Sequence, residues 1–302
     1  GNLVWQNKFY QKYALRRIDS YKNNKQRYVE TDNLLSGISL RRLLHPYLKK
    51  ILQVRNKLSG LSYKIVDDKS NLQQGETVIY AITHIGKFDF EVVMDAYVPF
   101  CYPVAGDWEL MYGEIDDYFL RLNGVLYVDT SDRKDRNNTT KAIAKMLNQG
   151  ISILIYPEGV WNLTESLPMM KIFPGAVRVA KVCNVPIVPV AVERYGKHFL
   201  VNIGEKLYIR DGEKEEVVRL RDSLATLQWN NWELIPISKR KDIPSDYYQK
   251  YVESKLAEWP KYNLDIINGR MYKDKNLTEP KEAFEHLEYL IPCRENAFLW
   301  RR

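Results

Sequence analysis

The chain has 302 residues, 45% of them hydrophobic and 12% aromatic, enough to bury a sizeable core in one large α/β domain with additions. Its formal net charge of +7 is unevenly placed, because residues 1–64 hold 14 Lys and Arg against 3 Asp and Glu, leaving the remainder slightly acidic. The composition excludes a disordered chain, and no apolar run approaches the roughly 18–20 residues needed to span a bilayer. Three well-separated cysteines, Cys101, Cys183 and Cys293, argue against a disulfide framework and a structural zinc.

The basic N-terminal segment interleaves Lys8, Lys12, Arg16, Arg17, Arg41, Arg42, Lys49, Lys50 and Arg55 with Trp5, Phe9, Tyr13, Leu43, Tyr47, Ile51 and Leu52. That pattern reads as basic amphipathic helices suited to an anionic lipid surface or an acidic carrier protein, or to a solvated face packed on a core domain. No zinc-finger, helix-turn-helix or RNA-recognition signature is present, so nucleic acid is not an expected partner. The opening "GNLVWQNKFYQKYALRR" has no apolar signal core, and a cytoplasmic protein held at the inner face of the membrane is the expectation.

From Glu76 onward strand-like and helix-like stretches alternate. The pattern predicts a strand over Thr77–Thr83, a helix from about Phe88, a strand near Tyr102–Ala105, a helix near Tyr112–Asn123 and a strand over Val125–Val128. A helix over Asn138–Gln149 follows, then a strand over Ile151–Tyr156, a helix over Pro174–Cys183 and strands over Ile187–Glu193 and Phe199–Ile203. This alternation implies an α/β fold with a mainly parallel mixed sheet flanked by helices. The tail is more polar and helical, with helices over Val217–Leu227 and Pro244–Lys255. Its tryptophans, Trp229, Trp232, Trp259 and Trp300, suggest that it docks on the core. The expected division is a basic helical segment (1–64), an α/β core (65–210) and a helical C-terminal extension (211–302).

The apolar run Thr77–Ile82 ends at Thr83-His84-Ile85-Gly86-Lys87-Phe88-Asp89. A histidine at the carboxyl end of a buried strand lies where open α/β sheets bind ligands, and a carboxylate five residues on can fix its tautomer. Such a pair makes a general base, although a core histidine and a helix-capping aspartate would give the same letters. Three later strands are also followed by small or charged residues: Val128-Asp129 with Arg133, Tyr156-Pro157-Glu158-Gly159-Val160-Trp161, and Val185-Pro186-Ile187-Val188-Pro189.

Taken in order, these four blocks resemble those of the glycerolphosphate and lysophospholipid acyltransferase family: His-x4-Asp, a Gly-aromatic-acid segment with arginine, Pro-Glu-Gly, and a Val-Pro-rich strand. The resemblance covers Val78 to about Glu193, and Met170–Lys181 resembles the stretch after the third block. It implies that His84 removes a proton from an acceptor hydroxyl attacking a thioester, while Asp89 orients the imidazole. It implies that Gly159 or a neighbouring backbone N–H stabilises the developing oxyanion, and that Glu158 positions the acceptor. Lys87, Arg133, Lys134 and Lys171 become candidate phosphate ligands, with Phe88 and Asp129 beside them in the same blocks. Val160 and Trp161 depart from the family's threonine and arginine, and Thr130 stands directly after the acid where arginine is usual. Trp161 then becomes a candidate to pack a sugar, a head group or an apolar chain.

The implied activity is O-acyl transfer from acyl-CoA or acyl-carrier-protein to a lysophospholipid-like or glycerol-based hydroxyl, with no cofactor and no metal. A thioesterase, or a non-catalytic membrane- or carrier-binding protein of the same fold, is the alternative. The chain contains no Gly-x-Ser-x-Gly elbow, which disfavours a serine hydrolase.

Overall fold

In the computed structural model the described residues are 37–106, 115–164, 167–235 and 243–272, together with 16, 19, 20, 22 and 23. In chain order these form α1 (Ile38–Leu58), β1 (Ser62–Asp68), β2 (Ile79–Ile82), α2 (Asp89–Ala96), β3 (Tyr102–Ala105), α3 (Ile115–Asn123), β4 (Leu126–Tyr127) and α4 (Arg133–Asn148). They continue as β5 (Ile153–Ile155), α5 (Gly175–Cys183), β6 (Ile187–Tyr195), β7 (His198–Ile203), α6 (Glu213–Glu233), α7 (Tyr247–Ala257) and α8 (Leu264–Arg270).

The strands make one seven-stranded sheet in the order β1-β7-β6-β2-β5-β3-β4. Strands β6, β2, β5, β3 and β4 run parallel, β7 is antiparallel to β6, and β1 is parallel to β7. The hairpin between β6 and β7 needs only the turn at Gly196, whose φ of 61° suits glycine. Every parallel neighbour instead requires a crossover.

Strand β2 is buried throughout, and its alternating side chains serve two cores. Ile79 and Ala81 pack with Ile143 and Met146 of α4, Val177 of α5 and Leu220 and Leu224 of α6. Tyr80 and Ile82 pack with Val92, Val93 and Met94 of α2. A strand covered on both faces accounts for the unbroken apolar run in the sequence.

Several elements differ from the sequence expectation. Helix α4 starts at Arg133 rather than Asn138, because the Asp132 side chain accepts from the Lys134 N–H at 2.8 Å and caps it there. Helix α6 runs well beyond Val217–Leu227 at both ends, and three glutamates in its first turn suit a helix N-terminus. Strand β1 lies in the stretch read as the end of the basic segment; it is an exposed edge strand, so its sequence lacks the apolar signal of the inner strands. Helix α8 was not foreseen, and the Asn263 side chain caps it by accepting from the Ile266 N–H at 3.0 Å. The expected helix start at Tyr112, most of the basic residues before 37, Trp300 and Cys293 lie outside the described residues.

Helix α1 carries the basic amphipathic pattern, with one face holding buried Ile38, His45 and Asn56. Its other face presents Leu40, Leu43, Tyr47, Ile51, Val54 and Leu58, each between 50% and 84% exposed. Among the described residues no helix is long and apolar enough to cross a membrane.

Candidate active site

Strands β6, β2 and β5 are adjacent and parallel, so the residues after their carboxyl ends emerge along one edge of the sheet. His84 leaves β2 two residues beyond Ile82, and Asp89 opens α2. Gly86 lets the chain turn closely between them. The His84 Nδ1 lies 2.7 Å from Asp89 Oδ2, and the same oxygen accepts from the Ile85 N–H at 2.9 Å and the Gly86 N–H at 3.2 Å. Asp89 is only 1% exposed, and three donors on one oxygen keep its buried carboxylate satisfied. With Nδ1–H directed at the carboxylate, Nε2 is left with a lone pair to accept a proton.

The loop after β5 holds this pair from the other side. The Tyr156 ring stacks on the His84 imidazole with centroids 4.0 Å apart and planes at 21°, and its hydroxyl donates to Asp89 Oδ1 at 3.2 Å. Burial, then the Asp89 charge, raises the Tyr156 phenol well above its ordinary pKa, so it remains a donor. Glu158 accepts from the His84 N–H at 3.0 Å and from the Met170 N–H at 2.9 Å, and the Asn162 N–H donates to the His84 carbonyl at 2.6 Å. Both backbone polar groups of His84 are therefore bound by the Pro-Glu-Gly loop just where the β2 ladder has ended. Burial raises the Glu158 carboxyl to about 7, against its two backbone donors and the neighbouring His84.

The structure sorts the other expected site residues into three groups. Glu158 and Trp161, expected at the substrate, are 0% and 2% exposed and act from behind the surface. The Trp161 ring lies edge-on to His84 at 6.3 Å and packs on Tyr262 at 4.6 Å and Trp259 at 6.0 Å. It joins the histidine loop to Val252 of α7 and Ile267 of α8 rather than offering a face to a ligand. Gly159 is exposed, but its N–H donates to the Tyr156 carbonyl at 3.0 Å. That bond closes the turn after β5. Gly159 is required there by its φ of 74° and by Phe173, whose Cε2 would lie 2.8 Å from an added Cβ.

Lys87 and Phe88 stay beside the histidine, with Lys87 Nζ 5.6 Å from the Phe88 ring centroid. Lys171 is exposed and follows Met170, which Glu158 binds. Asp129, Arg133 and Lys134 follow β4, three strand positions from β2, or about 14 Å at the usual strand spacing. Asp129 pairs with Lys22 at 2.8 Å, and although burial opposes it, hydrogen bonds from Lys22 and Ser131 hold its carboxyl down at about 2. Arg133 and Lys134 are exposed on the first turn of α4.

Tyr156, Asn162, Arg194 and Lys255 complete the surroundings of His84 and were not singled out from the sequence. Tyr156 directly precedes Pro-Glu-Gly, so the motif itself pointed at it. Arg194 lies near the end of β6 and Lys255 on α7; neither carries a local sequence signal.

The fold and this pair define an α/β protein with a hydrogen-bonded histidine–aspartate pair at the carboxyl edge of its sheet. Residues 65–193 match the family model described as Acyltransferase. The chain is 26% identical over 148 residues to an uncharacterized acyltransferase of Schizosaccharomyces pombe, covering 47% of this chain and 53% of that protein. It is 27% identical over 140 residues to the 1-acyl-sn-glycerol-3-phosphate acyltransferase of Saccharomyces cerevisiae, covering 46% and 45%. The chain spans about half the length of the curated relatives it matches. It shares its fold with the crystal structure of the 1-acyl-sn-glycerophosphate (LPA) acyltransferase PlsC from Thermotoga maritima, with a TM-score of 0.53, 14% identity, and coverage of 76% of this chain and 96% of that one. Over residues 65–193 the chain is similar to acyltransferases of the glycerolphosphate and lysophospholipid type.

Proposed function

We propose that this domain transfers a fatty acyl group from an acyl-CoA or acyl-carrier-protein thioester to a hydroxyl of a lysophospholipid-like or glycerol-based acceptor. The observation that carries the reading is the His84–Asp89 contact of 2.7 Å at the carboxyl edge of the sheet, with both backbone groups of His84 fixed. His84 Nε2 takes the acceptor's proton as its oxygen attacks the thioester carbonyl carbon, and the new C–O bond forms. The tetrahedral intermediate then expels the thiolate by C–S cleavage, and the imidazolium returns the proton to sulfur. Asp89 keeps the ring in the productive tautomer and stabilises its charged form. Tyr156 and Glu158 are positioning residues in this scheme: one holds the ring and carboxylate, the other the backbone. The thioester is a substrate, so the scheme needs no resident cofactor. The similarity to the Saccharomyces 1-acyl-sn-glycerol-3-phosphate acyltransferase supports an acylated glycerol phosphate as one acceptor to test.

The reading extends to an anionic membrane surface at the inner face. The exposed apolar stripe of α1, flanked by Arg41, Arg42, Lys49, Lys50 and Lys57, supports an interfacial helix with its apolar face toward acyl chains and its cations toward headgroups.

The test is to incubate purified protein with labelled acyl-CoA or acyl-carrier-protein and a panel of lysolipids, and to identify the labelled product. An acylated acceptor is expected, with His84→Ala slower by about 10²–10⁴-fold. Labelled free fatty acid as the sole product would instead assign a thioesterase. His84→Ala activity within a few-fold of wild type would remove the general-base role.

A further inference from the structure

Lys255 lies outside residues 65–193, on α7, yet its side chain reaches the histidine loop. A Cβ added to Gly86 would lie 3.9 Å from Lys255 Cδ and 3.8 Å from Nζ. The residue is 8% exposed, and among the described residues no carboxylate lies within ion-pair distance of its ammonium. The charged groups around it are held elsewhere. Arg194 Nη1 binds both oxygens of Glu258 at 2.7 and 2.9 Å, and Glu193 accepts from Gln228 and from the Trp232 indole, both at 2.5 Å. Asp89 is held by His84, Tyr156 and two backbone donors. The ammonium faces the Tyr251 ring, whose centroid lies 5.6 Å from Nζ.

Two further cations converge on the same loop. Lys87 Nζ and Arg194 Cζ stand 5.6 and 5.5 Å from the centroid of the Phe88 ring. Burial, then the Arg194 charge, lowers the Lys255 pKa, and a cation so placed gains from any anion brought to it. In the proposed reaction the only mobile anion arrives with a substrate. Phosphate is the class that fits, because lysine binds it as a compact point charge and both a lysophospholipid headgroup and coenzyme A carry it.

We infer that Lys255, with Lys87 and Arg194 beside it, seats a phosphate-class oxyanion of a substrate next to His84. The inference rests on the acyl-transfer reading and deepens it: a lysine of α7, outside residues 65–193, joins the histidine loop in reading the substrate's charge.

The experiment titrates wild type, Lys255→Met and Lys255→Arg with sn-glycerol 3-phosphate and with coenzyme A, against glycerol and pantetheine. Fluorescence of Trp161 and Trp259 is the readout, and thermal unfolding checks that each variant is folded. Saturable binding of a phosphorylated probe is expected in wild type, weaker by about ten- to a hundredfold in Lys255→Met and partly recovered in Lys255→Arg. Whichever probe responds names the source: acceptor headgroup or donor. In turnover, the kcat/KM ratio for phosphorylated over neutral acceptor, or for acyl-CoA over an acyl-N-acetylcysteamine donor, should fall by a similar factor. Absence of saturable binding in wild type overturns the inference, and so does a folded Lys255→Met that binds both probes as wild type does. Binding that behaves as expected in a protein that transfers no acyl group upholds the anion site and rejects the transfer reading.

Discussion

Glu158→Gln isolates the energetic role of a carboxyl that is wholly buried and binds the His84 backbone. Burial is the largest influence on this group and raises its pKa from 4.5 to about 7. Between those values the folded chain binds more protons at this position than the unfolded chain, so the group's stabilising contribution is fully present below pH 4.5 and is lost as pH rises through about 7. The loss runs at about 1.4 kcal/mol per pH unit and totals about 3 kcal/mol. A glutamine at 158 does not titrate, while every other group titrates alike in the two proteins and cancels in the difference. The amide can accept from only one of the His84 and Met170 N–H groups, which adds a pH-independent cost of about 1–3 kcal/mol. Urea unfolding of both proteins at pH 4.5, 5.5, 6.5 and 7.5 measures the difference. The wild-type advantage should shrink steadily across that range. A flat difference, or one that grows with pH, would refute the reasoning, because it would mean that backbone donors outweigh the burial of the charge.

Asp89→Asn keeps the shape but removes the charge that fixes the His84 tautomer, and turnover should fall by about 10²–10⁴-fold with the fold retained in circular dichroism. Gly159→Ala sets a Cβ at φ 74° and 2.8 Å from Phe173 Cε2, and a destabilisation of about 1–3 kcal/mol is expected in thermal unfolding; an unchanged midpoint would contradict the turn described here. Trp161→Ala removes the ring between His84 and the Trp259–Tyr262 pair, and should cost about 3–5 kcal/mol in denaturant titration, with Trp161→Phe recovering much of it. Leu43→Asp combined with Ile51→Asp on the exposed stripe of α1 should leave stability unchanged and abolish co-sedimentation with anionic vesicles. Wild-type binding should weaken with salt as the Debye length falls from about 10 Å at 0.1 M to about 3 Å at 1 M, and binding indifferent to salt and lipid charge would count against the membrane reading.

The sequence by itself determined the elements whose pattern is set by burial. Strand β2 is apolar because both faces are covered, and β3, β5, β6 and β7 were legible for the same reason. The histidine–aspartate pair was legible because its members are five residues apart on one turn, so local spacing already brings them together. Edge strand β1 gave no such pattern, since solvent on its faces leaves its residues free to be polar. Only the tertiary structure decided what Glu158 and Trp161 meet. Their letters are those of a site, but long-range contacts turn them inward, onto the His84 backbone and the C-terminal aromatic cluster. The same holds for Lys255, which is 169 positions from Gly86 in the chain and lies against it in space. Sequence periodicity records which face of an element is buried; it does not record what another element brings to that face.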